Sequence, residues 1–203
     1  MEVGCLAIIL HAHLPFVRPQ QEKPLEERWL HEAITETYVP LLLVLENLVD
    51  DGIDFRLTFS VSPPLAAMLG DPLLQSRYAE ALERLIELAE KEEARTKSDS
   101  ALHPLARMYR TLFGRVYDAF VNRYRRNLLN GFRRFVDLGK VDLMTTAATH
   151  AYLPLLSVNE SAVRAQIRTG VAHHRLAFGH KPKGFWLPEC GYYPGVDTFL
   201  REE

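Results

Sequence analysis

The sequence predicts an α/β fold with a parallel sheet, and three observations support this prediction. Four short apolar segments, each typical of a buried strand, alternate along the 203 residues with segments of helical apolar spacing. A strand, a helix and a second strand in succession is the order that produces parallel neighbours. Histidine, serine, threonine or glutamate follows each predicted strand, at the edge where parallel sheets bind ligands.

The composition is that of an ordinary globular protein, with 47% hydrophobic and 25% charged residues. A formal net charge of -2 provides no general attraction to nucleic acid or to anionic membranes, so we expect neither as a partner. The apolar run Val3–Leu10 is too short for a signal or membrane-spanning segment, which predicts a cytoplasmic protein. Cys5 and Cys190 are too few for a disulfide framework and are expected to be reduced.

The first predicted strand is Val3–Leu10, whose continuous aliphatic sequence indicates burial on both faces. It leads into His11 and His13, which share one face of an extended chain. This pair could bind substrate hydroxyls or a metal ion, or it could simply hydrogen bond to the backbone.

The next segment, Leu25–Val49, has helical apolar spacing. Pro40 is expected to kink or divide this helix because proline removes a helix hydrogen bond. Ile53–Phe59 alternates apolar and polar residues and predicts the second strand, which ends in Ser60 and Ser62.

A purely helical stretch separates the second strand from the third. Leu65–Leu69 predicts a short helix, and Leu73–Ala94 and Leu102–Leu138 predict two longer ones. Because this stretch far exceeds a normal crossover connection, residues 65–138 are predicted to form a helical insertion. Arginines distributed around the last helix indicate a solvated or glutamate-paired face, and these are Arg123, Arg125, Arg126, Arg133 and Arg134.

Val141–Thr145 predicts the third strand, and small hydroxyl residues lead from it to His150. Asn159 is expected to cap the helix that follows, because its side chain can accept a backbone hydrogen bond. His173 and His174 are neighbours on that helix, so they point to different faces and are interpreted as structural.

The fourth predicted strand, Gly184–Leu187, stops at a proline, and Glu189 follows it among aromatic residues that include Trp186. Such a carboxylate can reach a bound ligand while its access to water is limited. Alternatively, Glu189 could pair with an arginine or cap the helix that begins near Gly195. The agreement of four strand ends favours the catalytic interpretation.

The chemistry that fits this edge is carbohydrate chemistry. The sequence contains no glycine-rich phosphate loop, no serine nucleophile elbow and no paired-cysteine metal motif. Aromatic faces stack on the apolar faces of sugars, and imidazoles hydrogen bond to hydroxyls. Retaining glycosidic chemistry then requires two carboxyl groups, one as nucleophile and one as acid/base.

Three motifs resemble the first three sequence regions of glycoside hydrolase family 57. They are His11–Pro15, Thr145–Pro154 and Trp186–Cys190. The second and third, together with Arg28–Leu42, are most similar to the 1,4-α-glucan branching enzymes of that family, and the resemblance extends over nearly the whole chain.

This resemblance implies that residues 1–203 are the N-terminal part of an incomplete (β/α)7 barrel, with the insertion over residues 65–138 inside it. Glu189 would be the nucleophile that takes an α-1,4-glucan chain and passes it to a 6-hydroxyl group. His11, His13 and His150 would hold sugar hydroxyls, and Trp186 would shape the wall of the site. The resemblance implies no metal and no organic cofactor, and its partner would be an α-glucan such as amylose, glycogen or a maltooligosaccharide.

The family's acid/base aspartate belongs to a fourth region that nothing in this sequence resembles, and four strands cannot close a barrel of seven. We therefore expect residues 1–203 alone to have little or no turnover. Three alternatives stay open: an α-amylase or 4-α-glucanotransferase of the same family, a glucan-binding fragment without catalysis, and a metal-dependent deacetylase on a related barrel with His11 and His13 as ligands.

Overall fold

We describe the fold from a computed structural model, which covers residue 4 and residues 6–18 and 25–203. One compact unit, the strand unit, contains the described residues of Met1–Phe16 with Asp54–Met68 and Phe132–Glu203. The other, the helical unit, contains the described residues of Val17–Ile53 with Leu69–Gly131. In chain order the elements are β1 (Ile9–Ala12), α1 (Glu27–Ala33), α2 (Val39–Asp50), β2 (Leu57–Val61), α3 (Pro63–Gly70), α4 (Pro72–Arg95), α5 (Leu102–Tyr117), α6 (Leu129–Asp137), β3 (Val141–Thr146), α7 (Leu153–Leu156), α8 (Glu160–Phe178), β4 (Phe185–Trp186) and α9 (Val196–Arg201).

The strand unit contains a four-stranded parallel sheet in the order β1-β2-β3-β4, as the sequence predicts. The register aligns His11 on β1 with Ser60 on β2, and Thr146 on β3 with Trp186 on β4. Because all four strands run in one direction, their carboxyl ends meet at a single edge of the sheet.

The first strand differs from its prediction. β1 begins at Ile9, and the residues before it are exposed where they are described, with Ile8 at 46% exposure. The expected burial on both faces is therefore wrong for this segment. A strand needs a partner, and β2 begins only at Leu57. The carbonyl of Ile8 still accepts the N–H of Thr58 at 3.2 Å, but the residues ahead of Ile8 lie beyond the start of β2. Val3 and Cys5 lie outside the described residues.

The second strand is also displaced toward the C-terminus relative to its prediction. β2 covers Leu57–Val61 instead of Ile53–Phe59, so that Ser60 lies inside the strand and is fully buried. Phe59 on this strand is part of the buried core and packs edge-on against Phe132, with 5.7 Å between ring centroids. This apolar contact holds β2 in the layer that carries the strand ends.

The helix after β3 follows its prediction closely. Asn159 caps α8 by accepting the N–H of Ala162 at 3.3 Å, and Gly179 ends the helix with a left-handed φ of 80°. α9 then begins directly after Gly195.

In the helical unit, the predicted helix Leu25–Val49 is divided near Pro40. α1 and α2 are joined by a π-helical turn over Ile34–Tyr38, in which the N–H of Val39 donates to the carbonyl of Ile34. Pro40 occupies the first turn of α2, where its missing N–H costs no hydrogen bond of that helix. The helix is therefore divided by a π-helical turn ahead of Pro40, and its backbone stays helical throughout.

The prediction of a single helix over Leu102–Leu138 is wrong. α5 passes into a π-helical turn at Asp118–Arg123, and the chain then breaks before α6 begins at Leu129. Arg125 and Arg126 cause the break, because both have left-handed backbones with φ values of 53° and 63°. Arg123 pairs with the buried Glu46, in agreement with a glutamate-paired arginine face.

The insertion over residues 65–138 stays a prediction, although Leu69–Gly131 of that range belongs to the helical unit. Tyr78 lies at the centre of the core of this unit, where it packs edge-on against Phe120 and hydrogen bonds to Thr35 at 2.9 Å. Within the described residues, no helix combines the length and apolar character needed to cross a membrane.

Candidate active site

All five residues predicted for the site meet at the carboxyl edge of the sheet, within the strand unit. The Nε2 atoms of His11 and His150 are 3.0 Å apart, and the ring of His13 stacks on His150 with 3.7 Å between centroids. Trp186 lies against the histidine of β1, with 5.2 Å between its ring and that of His11. The carboxylate of Glu189 is 3.8 Å from Nδ1 of His150.

Two serines, Ser60 on β2 and Ser62 directly after it, hold the two histidines of the first motif. Nδ1 of His11 is 3.1 Å from the hydroxyl of Ser60, and Nδ1 of His13 is 2.9 Å from the hydroxyl of Ser62. Both serines are fully buried, so each hydroxyl is protected from competing water. Both serines are predicted from the sequence to lie at a strand end, but the sequence alone predicts no role for them. The signal that could have found them is the equal spacing of His-x-His and Ser-x-Ser on adjacent parallel strands.

The loop after β3 is fixed by α8. The N–H of Thr149 donates to the side-chain oxygen of Gln166 at 3.0 Å, and the N–H of Ala148 donates to the backbone carbonyl of the same residue at 3.0 Å. These bonds support His150, which has a left-handed backbone with a φ of 56°. A non-glycine residue in this conformation is strained, and such strain is typical of functional sites.

The turn that carries Glu189 is strained in the same way. Glu189 and Cys190 follow β4 in a short 3₁₀ turn and have φ values of 52° and 56°. Gly191 then lets the chain pass against Tyr152, since a Cβ there would overlap the ring and lie 3.0 Å from Cδ of Pro154. Three non-glycine residues with left-handed backbones therefore lie at the site, namely His150, Glu189 and Cys190.

The side chains of the site differ in exposure. His150 is 5% exposed, whereas the Glu189 side chain is 73% exposed and accessible to a ligand. The expectation that neighbouring aromatic residues limit its contact with water is wrong for the described residues, since Tyr192 is itself exposed. Tyr193 instead packs against an apolar cluster that contains Leu153.

All three histidines are neutral near pH 7. Burial, followed by the neighbouring imidazoles of His150 and His11, lowers the pKa of His13 to about 4. Burial also lowers the pKa values of His11 and His150, while the Glu189 carboxylate partly opposes both shifts. Neutral imidazoles offer one donor and one acceptor each, which suits hydrogen bonding to sugar hydroxyls.

The histidines of α8 lie on different faces, as predicted. His174 is 1% exposed and contacts Phe178, with 4.8 Å between ring centroids. His173 instead lines an open groove of about 530 Å³ together with His13 and His150. This groove extends from the site in the strand unit and adds a further imidazole to its surroundings.

The donors present do not fit a metal centre. In the part of the chain that the structure describes, no three His, Cys, Asp or Glu side chains are arranged to hold one ion.

Comparison with known proteins identifies the family. Residues 7–203 match glycosyl hydrolase family 57. The chain is 41% identical over 214 residues to a 1,4-alpha-glucan branching enzyme of Thermococcus kodakarensis, covering 98% of this chain and 31% of that protein. It is 32% identical over 210 residues to a probable 1,4-alpha-glucan branching enzyme of Mycobacterium tuberculosis, covering 96% of this chain and 39% of that protein.

Solved structures agree with this match. The alpha-amylase AmyC of Thermotoga maritima superposes with a TM-score of 0.91 at 45% identity, over 97% of this chain and 37% of that one. A family 57 branching enzyme of Thermococcus kodakaraensis, crystallised with glucose, superposes with a TM-score of 0.88 at 37% identity, over 98% of this chain and 38% of that one. The chain thus spans less than half the length of these relatives.

The four parallel strands and their helices match the N-terminal part of a family 57 (β/α)7 barrel, which confirms the fold predicted from the resemblance. The family match covers nearly every residue, and both the sequence relatives and the structural neighbours come from enzymes of the glycoside hydrolase or transferase type. The chain therefore belongs to glycosyl hydrolase family 57.

Proposed function

We propose that this chain contributes the nucleophile half of a retaining α-glucan active site, of the 1,4-alpha-glucan branching type. The observation that carries the proposal is the position of Glu189, whose exposed carboxylate is held by a strained turn 3.8 Å from a buried imidazole of His150. The identity of 41% to a branching enzyme supports the choice of α-glucan as the substrate.

In this mechanism the carboxylate of Glu189 attacks the anomeric carbon of a bound glucan, and the bond to the 4-oxygen breaks as a second carboxyl group protonates that oxygen. A glycosyl ester on Glu189 results. A 6-hydroxyl of another glucan then attacks the same carbon, its proton passes to the second carboxylate, and the carboxylate of Glu189 leaves. His11, His13 and His150 would hold sugar hydroxyls, while Trp186 would form an apolar wall for the sugar ring.

The second carboxyl group is expected outside residues 1–203. The aspartates of the strand unit lie away from the carboxyl edge or are paired with cations. Asp142, near the start of β3, pairs with Lys183, and Asp54 pairs with Lys140 at 2.7 Å. Asp197 pairs with Arg201 on α9. We therefore expect little or no branching activity from this chain alone.

Covalent labelling tests the role of Glu189. An α-glucosyl fluoride has a leaving group that needs no proton, so it should glycosylate the nucleophile even without an acid/base partner. Mass spectrometry should find one added glycosyl group on the peptide that contains Glu189. The label should be absent from Glu189→Gln and retained in Glu160→Gln, which changes an exposed carboxylate at the start of α8.

The outcomes separate the alternatives. Maltooligosaccharide binding that survives Glu189→Gln, with no covalent label in the parent protein, would support a glucan-binding fragment and contradict the nucleophile. Branching of amylose by residues 1–203 alone would contradict the expected need for a second carboxyl group.

The structural match to an alpha-amylase keeps hydrolysis as a second candidate. In any active protein that contains this chain, new α-1,6 linkages formed on amylose would indicate branching, and new reducing ends without such linkages would indicate hydrolysis. A cytoplasmic location and a role in glycogen synthesis stay predictions from the sequence.

A further inference from the structure

The buried hydroxyl of Ser60 stands at one end of a chain of side chains that finishes at Glu189. Its Oγ is 3.1 Å from Nδ1 of His11, and Nε2 of that histidine is 3.0 Å from Nε2 of His150. Nδ1 of His150 is in turn 3.8 Å from the carboxylate. Both ring nitrogens of each histidine therefore face a polar group; the contact of His150 with Glu189 is longer than a hydrogen bond and acts through charge.

The hydrogens along this chain can be placed by counting donors and acceptors. Burial lowers the pKa values of His11 and His150, so near pH 7 each ring has one N–H and one bare nitrogen. At 3.0 Å, one of the two Nε2 atoms must donate and the other must accept. Only two arrangements meet this condition.

The carboxylate distinguishes the two arrangements, because an ionised carboxylate only accepts. If Nδ1 of His150 has the hydrogen, an N–H faces Glu189, and the bare Nε2 accepts from the Nε2–H of His11. Nδ1 of His11 is then bare and requires a donor. In the opposite arrangement the lone pair of His150 would face the negative carboxylate, which is repulsive.

Ser60 is suited to be that donor. It is fully buried, and among the described residues its hydroxyl forms a hydrogen bond with His11. A buried hydroxyl is stable only when its hydrogen is accepted. The neighbouring pair is similar: the hydroxyl of Ser62 accepts the N–H of Leu65 at 3.4 Å, and Nδ1 of His13 at 2.9 Å is the acceptor next to its hydrogen.

We propose that Ser60 is a positioning residue that donates to His11 and thereby fixes the tautomers of His11 and His150, so that an N–H of His150 faces Glu189. Its value for catalysis rests on the proposed function. An N–H directed at the carboxylate stabilises the ionised nucleophile and orients its oxygens before attack.

Nitrogen NMR of the histidine side chains in the folded 203-residue protein tests this proposal, because the shift of each ring nitrogen reports whether it has a hydrogen. In the parent protein we expect the hydrogen on Nε2 of His11 and on Nδ1 of His150. Ser60→Ala should shift both rings toward a mixture of tautomers, and Ser60→Thr, which keeps the hydroxyl, should restore the parental shifts. Ser62→Ala is the matched control and should change His13 alone.

A hydrogen on Nε2 of His150 in the parent protein would overturn the proposal, as would unchanged shifts of both rings in Ser60→Ala. The measurement uses no substrate and so stands apart from the proposed function. Parental tautomers as expected, together with no glycosyl label on Glu189, would support the role of Ser60 and count against the nucleophile.

Discussion

Gly170 on α8 is the residue at which a single added methyl group should disturb the site most directly. A Cβ there would overlap the carbonyl oxygen of Thr146, well inside the 3.0 Å that real Cβ contacts respect, and would lie 3.4 Å from the backbone N of Ala148. Both atoms belong to the backbone that leads from β3 to His150, so neither can move aside as a flexible side chain would.

The magnitude follows from two opposing effects. Glycine in a helix interior is less stable than alanine by about 0.5–1 kcal/mol, so Gly170→Ala alone would stabilise α8. Overpacking against backbone costs about 1–3 kcal/mol. The substitution also displaces the Gly170 carbonyl, which accepts from Thr145 at 3.2 Å and contributes about 1 kcal/mol. We therefore expect a net loss of about 1–3 kcal/mol.

Urea-induced unfolding measures this loss of stability. The contact between His11 and His150 should also weaken, because the loop that carries His150 must shift. Gly114→Ala on α5 is the matched control, because a Cβ at that helical position meets nothing within 4 Å. The control should gain up to about 1 kcal/mol. A Gly170→Ala protein as stable as its parent would refute the reasoning.

Two further predictions concern buried groups. Burial lowers the pKa of His174 to about 4, so the unfolded chain binds one more proton than the folded chain between about pH 6.5 and 4. As the pH is lowered through that window, the free energy of unfolding should therefore decrease by up to about 1.4 kcal/mol per pH unit. His174→Phe should flatten this part of the pH profile of unfolding, and an unchanged slope would contradict the assignment. Tyr78→Phe should lower the free energy of unfolding by about 1–3 kcal/mol, because it leaves the buried hydroxyl of Thr35 without its partner. Tyr117→Phe removes an exposed hydrogen bond to Glu83 and should change the free energy of unfolding by about 0.5 kcal/mol or less. Equal effects of the two tyrosine substitutions would show that burial does not decide the cost.

The convergence of the candidate site residues could be predicted from the sequence because it depends on topology. Parallel strands bring their carboxyl ends to one edge, so His11, His150 and Glu189 converge although they lie far apart in the chain. Their detailed contacts depend on register, which hydrophobic pattern alone fixes only approximately. The pairing of His11 with Ser60 became evident only once that register was known.

Backbone conformations without a local signal could not be predicted. Arg125 and Arg126 adopt left-handed conformations that split a helix, although arginine is an ordinary helix former. The same holds for His150 and Glu189, which occupy conformations that glycine or asparagine normally takes. Such conformations persist because surrounding contacts enforce them, and a sequence window does not contain those contacts.

At the left-handed residues of the site, thermal stability and the proposed chemistry favour different amino acids. At His150 and Glu189 a glycine would relieve backbone strain of about 1–3 kcal/mol per residue. A library of this chain selected only for survival at high temperature should therefore enrich glycine at these positions. Directed evolution of this protein thus needs a ligand-dependent selection applied together with heat, because heat alone would favour variants that have lost the proposed nucleophile.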